Sequence, residues 1–240
     1  MRQGTSREQL IALLKESPIA PANDWLTNLY LYQPATILAK TLYANELFQR
    51  VMHLPGDIFE LGVWWGANIS LFANLRTVYE PYNRARKVVG FDTFTGYPGL
   101  ASGDRPSEHM QEGLYGVGTE YRSHLEAVLD AHEAEGPSPL VRKYELVEGL
   151  VEQTLPQYFI DNPQCFVALA YVDLQTYEGT KAALIAIKPH LMPGSVLAMD
   201  ELTVRDYQGE AIAFREVFGA TGYKIERSQF LPDRTLVTIS

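Results

Sequence analysis

The chain has 240 residues, of which 46% are hydrophobic and 20% are charged, and its formal net charge is −9. This length suits one α/β domain with some decoration, and the composition argues against an intrinsically disordered chain. The acidic excess argues against a nucleic acid partner, because phosphate groups are bound by basic surfaces.

The only cysteine, Cys165, excludes an internal disulfide and a cysteine-based zinc site. It lies in the apolar run CFVALAYVD, which predicts a buried thiol rather than a nucleophile. No segment approaches the roughly 18 apolar residues of a membrane-spanning helix, and the N-terminus has no long apolar stretch. We therefore expect a soluble, cytoplasmic protein without a membrane partner.

Two amphipathic helices are predicted before the first strand, at residues 6–16 and 35–53. We therefore divide the chain into an N-terminal helical extension, residues 1–54, and a sheet domain, residues 55–240. The extension could cover the site or form an oligomer contact.

From Asp57 onward, predicted strands and helices alternate. The strands are DIFELG, KVVGFD, KYELVEG, CFVALAYVD and GSVLAMDE, followed by YKIERS and RTLVTIS. A polar segment rich in glycine, proline and serine covers about residues 93–120 and is a candidate lid. The alternation predicts a doubly wound, mainly parallel α/β sheet, which binds its ligands at the carboxyl edge of the strands.

The stretch GDIFELGVWWGANIS reads as a buried strand ending in Glu60, then a Gly-x-x-x-Gly turn, then a helix. Gly62 and Gly66 allow a sharp turn and a close approach of the backbone to a ligand. A dinucleotide site would have the spacing G-x-G-x-x-G and no acid beside the pyrophosphate. The turn therefore predicts a zwitterionic or positively charged ligand, and it argues against a nicotinamide enzyme.

The second strand ends in Asp92, where an acid typically binds the hydroxyls of a ribose. Together with Glu60 near an amino acid group, this favours S-adenosylmethionine, although each acid alone could be purely structural. Trp64 and Trp65 in the turn have two readings: they pack in the core, or they form a wall beside the adenosyl group.

Three more acids follow the later strands. Asp173 comes just after the fourth strand, and Asp200 and Glu201 come just after the fifth. Carboxylates that converge at one sheet edge repel unless they are protonated or bridged by a cation, and hard oxygen ligands suit Mg²⁺. The alternative is that these acids only cap a loop and the next helix.

With these residues placed, the chain resembles the macrocin O-methyltransferase type of sugar O-methyltransferases from antibiotic pathways. The resemblance covers about residues 29–218, and calicheamicin-type nucleotide-sugar enzymes are the most similar members. The stretches that carry it are FELGVWWG, VVGFDTFTGYPG, VEGLVEQTLP, DLQTYEGT and MDEL followed by YQGEAIAFREVFG.

The resemblance implies a class I methyltransferase (Rossmann-like) fold with a seven-stranded sheet, S-adenosylmethionine, a divalent cation such as Mg²⁺, a sugar or nucleotide-sugar substrate and a homo-oligomer. By position, the metal would be held by Asp173, Asp200 and Glu201. The cofactor would be held by Glu60, Gly62, Val63, Trp64, Gly66, Asp92, Thr93, Phe94 and Gly149.

One position departs from the family pattern D-x-D-L-Y, whose second Asp is a candidate general base. Gln175 stands there, and an amide cannot take a proton at neutral pH. Either another group is the base, or a metal-bound hydroxyl needs only a weak one, or methyl transfer is altered or absent. The candidate catalytic residues are therefore Asp173, Gln175 and Glu178, and further possible bases are Asp206 and His109. Arg105 in the lid could meet a substrate phosphate.

Overall fold

The computed structural model describes residues 6–17, 19, 26–97, 99, 111–118, 120–137, 141–205 and 207–240. Three residues singled out in the sequence, Arg105, His109 and Asp206, lie outside the described residues. The candidate lid is therefore described only at its two ends, residues 93–97 and 111–118, and at residues 99 and 120.

The α-helices are α1 (Ser6–Lys15), α2 (Ala35–Val51), α3 (Ala67–Tyr79), α4 (Tyr121–Ala134), α5 (Val151–Asp161), α6 (Tyr177–Ile187) and α7 (Gln208–Phe218). Short 3₁₀ helices cover Leu29–Tyr32 and Lys188–His190. The strands are β1 (Asp57–Leu61), β2 (Val88–Asp92), β3 (Tyr144–Glu148), β4 (Val167–Val172), β5 (Leu191–Met199), β6 (Tyr223–Arg227) and β7 (Thr235–Ile239).

The strands form one seven-stranded sheet in the order β3-β2-β1-β4-β5-β7-β6. Strands β1 to β5 are parallel, and β7 runs antiparallel to both β5 and β6. The chain order reverses between β1 and β4, so the sheet has a topological switch point there. This topology confirms the predicted doubly wound, mainly parallel sheet.

Helices cover both faces of the sheet, which explains why the central strands are apolar throughout. One core packs α2, α3 and α4 against the sheet, with Phe48, Phe72 and Leu125 almost fully buried. The other core packs α5, α6 and α7, with Leu184 and Phe214 buried. All six residues of β4 are buried, as expected for a strand with helices on both sides.

Helix α2 belongs to the first core although it precedes the sheet in the chain. Its inner face buries Tyr43, Leu47, Phe48 and Val51. The domain boundary at residues 54/55 remains a prediction. The only cysteine in the chain, Cys165, is 6% exposed, as its apolar surroundings predict. Across the described ranges, no helix combines the length and apolar character that crossing a membrane requires.

Candidate active site

A cavity of about 730 Å³ opens at the carboxyl ends of the parallel strands, beside the topological switch point. Its floor includes residues that end or follow β1, β2, β4 and β5. Helix α2 and the residues before it contribute a side wall, with Gln33, Ile37, Lys40 and Thr41. The cavity is large enough for a drug-sized ligand, and it lies where the sheet topology predicts a binding site.

The turn after β1 forms the centre of the cavity wall. Gly62 has φ +92°, and a side chain there would collide with the backbone carbonyl of Asp173 at the end of β4. Gly66 has φ +75° and caps α3, and a side chain there would collide with Leu125 of α4. Gly62 is therefore required by the packing of the protein itself, because its neighbour is backbone, whereas Gly66 is favoured by its positive φ and by the nearby Leu125 side chain.

Glu60 lies at the bottom of this wall and is 1% exposed. Burial and the nearby charges of Asp173 and Asp92 raise the pKa of Glu60 well above its usual range, although Asn68 and the Ile69 amide donate hydrogen bonds to it. One of its carboxylate oxygens, Oε2, has no hydrogen-bond partner. A buried acceptor without a partner at a cavity wall is suited to an ammonium group of a ligand.

Asp92 joins the turns that follow β1 and β2. Its Oδ2 accepts hydrogen bonds from the amides of Val63 (2.6 Å) and Trp64 (2.8 Å), and its Oδ1 accepts one from Phe94 (2.6 Å). Since a carboxylate offers about four acceptor positions, one remains for a ligand hydroxyl. Asp92 therefore holds the two turns together, in addition to the ribose binding that the sequence predicted for it.

The other predicted cofactor residues do not all reach the cavity. Val63, Thr93 and Gly149 line it, and the Gly149 amide donates to the carbonyl of Asp92 at 2.9 Å. Phe94 is 2% exposed and belongs to the first core, so the structure places its side chain away from the cavity. Only the backbone of Phe94 contributes, by holding Asp92.

Trp64 and Trp65 are 48% and 47% exposed and line the cavity mouth, so the core-packing reading of these residues is wrong. Trp64 meets Tyr115 edge to face with ring centroids 5.6 Å apart, and Trp65 meets Tyr121 in the same way at 4.7 Å. Both partners belong to the chain that returns from the candidate lid. The tryptophans therefore connect the β1 turn to that segment.

Strained backbone is concentrated around the cavity. Among the described residues, the non-glycine residues with positive φ are Trp64, Phe94, Tyr115 and Gln175, with φ between +50° and +67°. Three of them line the cavity, and Phe94 holds Asp92. Such conformations cost free energy and are found mainly where function requires a fixed geometry.

The acids after β4 and β5 line the same cavity. Burial and repulsion from Asp200 raise the pKa of Glu201 to about 7, and burial and Asp200 likewise raise the pKa of Asp173. Asp200 accepts a hydrogen bond from the Tyr171 hydroxyl at 2.7 Å and forms an ion pair with Arg234 at 2.5 Å. Asp173, Asp200 and Glu201 thus lie at the same edge of the sheet, at the ends of the neighbouring strands β4 and β5.

These acids do not close into a metal-ligand group. Within the described ranges, no set of three His, Cys, Asp or Glu side chains is arranged to hold a metal ion. Arg234 already supplies a positive charge to Asp200, which is one of the three predicted ligands. The donor set in this arrangement therefore does not fit a bound Mg²⁺.

The candidate catalytic residues differ in their access to the cavity. Asp173 and Gln175 line it, whereas Glu178 is exposed in the first turn of α6 and does not. The predicted use of Glu178 as a substitute base is therefore not supported by its position. Gln175 Nε2 donates a hydrogen bond to Asp173 Oδ1 at 3.3 Å.

Several cavity residues were given no role by the sequence, although Tyr97 and Glu152 lie within stretches that carry the family resemblance. Glu152 in α5 has a buried Oε2 without a partner, Tyr97 contacts Gln175, and Lys40 and Arg234 are the lysine and arginine side chains that line the cavity in the described part. Against these two cations stand the cavity carboxylates of Glu60, Asp92, Glu152, Asp173, Asp200 and Glu201. The excess of acids favours a positively charged ligand.

Together, the sheet order, the switch-point cavity and the strand-terminal acids define a methyltransferase-type α/β fold of class I. The Macrocin-O-methyltransferase (TylF) family model matches residues 44–221, more than half of the chain. The chain belongs to this family.

Solved structures support the same class. The calicheamicin methyltransferase CalS11 has a TM-score of 0.93 and 39% identity, over 99% of this chain and 94% of that chain. A second, apo structure of CalS11, described as a TDP-rhamnose 3'-O-methyltransferase, has a TM-score of 0.85 and 37% identity, over 99% and 96%.

Curated relatives are more distant. A tetracenomycin-type rhamnosyl 4'-O-methyltransferase of Streptomyces olivaceus is 29% identical over 65% of this chain. The mycinamicin III 3''-O-methyltransferase of Micromonospora griseorubida is 25% identical over 72% of it. The chain spans 59% and 65% of the length of these two relatives.

Proposed function

We propose that the protein is an S-adenosylmethionine-dependent O-methyltransferase that acts on a sugar hydroxyl in natural-product biosynthesis. The observation that carries the cofactor is the acid-rich cavity with the unpartnered Oε2 of buried Glu60. S-adenosylmethionine carries an ammonium and a sulfonium charge, and this cavity offers the opposite charge. The sugar class rests on the family and on the relatives named for sugar methylation.

The proposed arrangement divides the cavity in two. Glu60 and the β1 turn would hold the amino acid end of the cofactor, and the remaining acceptor position of Asp92 would bind a ribose hydroxyl. The acids after β4 and β5 and the wall from α2 would face the substrate. The cofactor supplies the methyl group, while the protein aligns the hydroxyl with it and excludes water.

Asp173 is the proposed proton acceptor. It lines the cavity, its carboxylate is oriented by the Gln175 amide, and its raised pKa lies closer to neutrality than that of an ordinary carboxyl. With the cofactor bound, its methyl group would pass to the hydroxyl oxygen, the electrons of the carbon–sulfur bond would stay on sulfur in the departing S-adenosylhomocysteine, and Asp173 would take the hydroxyl proton. The sulfonium charge is lost in this step.

Asp173→Asn tests this role. We expect kcat to fall by about 10²–10⁴-fold, because a positioned base is removed, while the calorimetric Kd for S-adenosylmethionine changes little. Glu178→Gln is the matched control, since Glu178 lies five residues away on the same segment and outside the cavity. Equal activity of Asp173→Asn and the control would reject Asp173 as the acceptor.

The substrate class is tested by forming S-adenosylhomocysteine from two kinds of acceptor. A nucleoside diphosphate deoxysugar and a glycosylated aromatic or macrolide product represent the substrates named for the relatives. Turnover of either one supports sugar methylation and identifies the class. Turnover of neither, with cofactor binding intact, contradicts it.

Gln175 favours a second candidate, a protein that binds the cofactor but does not transfer the methyl group. Under this proposal, wild-type protein binds S-adenosylmethionine without turnover, and Gln175→Asp gains activity because it restores the family carboxylate. Turnover by the wild type excludes this candidate.

The family resemblance implies Mg²⁺, whereas the donor set of this arrangement does not fit it, so a requirement for Mg²⁺ stays a proposal that chelation tests. Activity lost in EDTA and restored by Mg²⁺ would support it, and full activity in EDTA would contradict it. Homo-oligomerisation is proposed on the same basis, and exposed apolar side chains before and in α2 are compatible with it, among them Leu29, Leu31, Leu38 and Leu42. Light scattering of the purified protein tests this proposal.

A further inference from the structure

Gln175, the residue that departs from the family pattern, is held from two sides. The Tyr97 hydroxyl donates a hydrogen bond to Gln175 Oε1, and Gln175 Nε2 donates one to Asp173 Oδ1 at 3.3 Å. Since the phenol supplies a proton and the carboxylate requires one, the two contacts fix which end of the amide faces which partner. The two hydrogen bonds therefore run in the same direction, with Tyr97 donating to Gln175 and Gln175 donating to Asp173.

Tyr97 is itself fixed by the returning end of the candidate lid. Its amide donates to the carbonyl of Leu114, and its carbonyl accepts from the amide of Gly113, both at 3.0 Å. Its ring lies against Tyr115, with centroids 5.7 Å apart. The backbone of Tyr97 is thus fixed by these two hydrogen bonds, and they hold the phenol beside Gln175.

The chemistry of the phenol suits a donor. Burial and the charge of Asp173 raise the pKa of Tyr97 above its usual range, so the hydroxyl keeps its proton throughout the neutral range. Gln175 adopts φ +60°, a conformation that non-glycine residues seldom occupy and that persists only where surrounding contacts hold it. The Tyr97 and Asp173 contacts are two such constraints.

We propose that Tyr97 and Gln175 are positioning residues: Tyr97 orients the Gln175 amide, and the amide directs the Asp173 carboxylate toward the substrate hydroxyl. This rests on the proposed methyl transfer, in which Asp173 takes the proton. An amide at this position replaces a second carboxylate with a donor, so it orients the acid without competing for the proton. The change at Gln175 is then an adaptation of the site rather than the loss of its base.

The test combines Tyr97→Phe, Gln175→Ala and the double variant. We expect each single variant to lower kcat by about tenfold, the effect of one lost hydrogen bond, with the KM for S-adenosylmethionine unchanged. The double variant should be no slower than either single one, since both belong to one chain of contacts. Gln175→Glu, which loses the Nε2 donor, should be as slow as Gln175→Ala.

Tyr82→Phe is the control, because Tyr82 is 78% exposed and forms no hydrogen bond with its hydroxyl in the described part of the chain. Losses that multiply in the double variant, or a rise in KM for the cofactor without a fall in kcat, would overturn the proposal.

A second measurement does not depend on turnover. Hydrogen exchange of the Tyr97 and Gly113 amides should accelerate in both Tyr97→Phe and Gln175→Ala and stay unchanged in the control. Unchanged exchange in both variants overturns the positioning pair. Accelerated exchange in a protein that methylates no acceptor would keep the pair and reject the proposed function, so the two failures are distinguishable.

Discussion

At the scale of the residue, Asp92 shows how one side chain can serve fold and function together. Three backbone amides from two turns converge on its carboxylate at 2.6–2.8 Å. The position at the end of β2 predicted a ribose ligand, but these amides occupy most of its acceptor capacity. A ribose hydroxyl would complete a group that is already ordered, which reduces the entropy lost on binding.

Asp92→Asn is expected to weaken S-adenosylmethionine binding and to lower stability. The amide keeps one oxygen but presents its NH₂ group to a backbone donor, so at least one hydrogen bond is lost, at about 1–3 kcal/mol for the unsatisfied group. Calorimetry should show a Kd raised about tenfold or more, and urea unfolding should show the stability loss. An unchanged Kd in folded Asp92→Asn would remove the ribose role.

At the scale of the element, the turn between β1 and α3 is fixed by its neighbours in the sheet. Gly62 approaches the end of β4, Gly66 approaches α4, and the amides between them bind the end of β2. The two glycines of the Gly-x-x-x-Gly spacing therefore each make a tertiary contact, and these contacts shape the cavity wall formed by the turn.

A comparison of Gly62→Ala with Gly222→Ala should separate the cost of the contact between Gly62 and Asp173 from the cost of ordinary backbone strain. The two glycines have φ +92° and +91°, but a side chain at Gly222 meets nothing within 4 Å. We expect Gly222→Ala to cost about 1–3 kcal/mol of strain and Gly62→Ala to cost at least a further 1–3 kcal/mol through the collision with Asp173. Equal losses in chemical unfolding would show that the collision is relieved without cost.

At the scale of the whole molecule, buried carboxyl groups in and beside the cavity make the stability of the fold depend on pH. Glu60, Asp173 and Glu201 line the cavity, and Glu210 in α7 accepts a hydrogen bond from the Glu201 amide. All four have a raised pKa, mainly because burial disfavours the charged carboxylate. In the unfolded chain these groups ionise at their ordinary pKa, whereas in the folded chain they ionise only at a higher pH. Their contribution to stability is therefore fully present below the unfolded pKa and is lost as pH rises through the folded pKa. A bound cation would offset the same repulsion.

Glu201→Gln should make this dependence visible in the ligand-free protein. The pKa of Glu201 rises from 4.5 to about 7 on folding, so the wild type should lose up to about 3 kcal/mol between pH 4.5 and 7 from this group. In the variant, this part of the decrease in stability with pH should be missing, and the variant should be more stable than wild type at pH 8. Chemical unfolding in the presence of EDTA measures both effects. Exposed Glu178→Gln is the control, and identical slopes for all three proteins would contradict the charge argument.

The sequence alone determined the sheet class, the family and the strand-end positions of Glu60, Asp92, Asp173, Asp200 and Glu201, because strand periodicity and chain order are local properties. Parallel topology then sends all strand ends to one edge. The family and the methyltransferase class predicted from these motifs are confirmed.

Only the tertiary structure decided how these side chains are engaged. It placed Phe94 in the core and Glu178 outside the cavity, left both tryptophans half exposed, and paired Asp200 with Arg234. It also brought Tyr97 to Gln175, which lies 78 residues away in the chain. Contacts between distant segments depend on packing rather than on a local pattern, so no sequence motif marked Lys40 or Arg234 as residues of the site, and the motif that contains Tyr97 did not show its contact with Gln175.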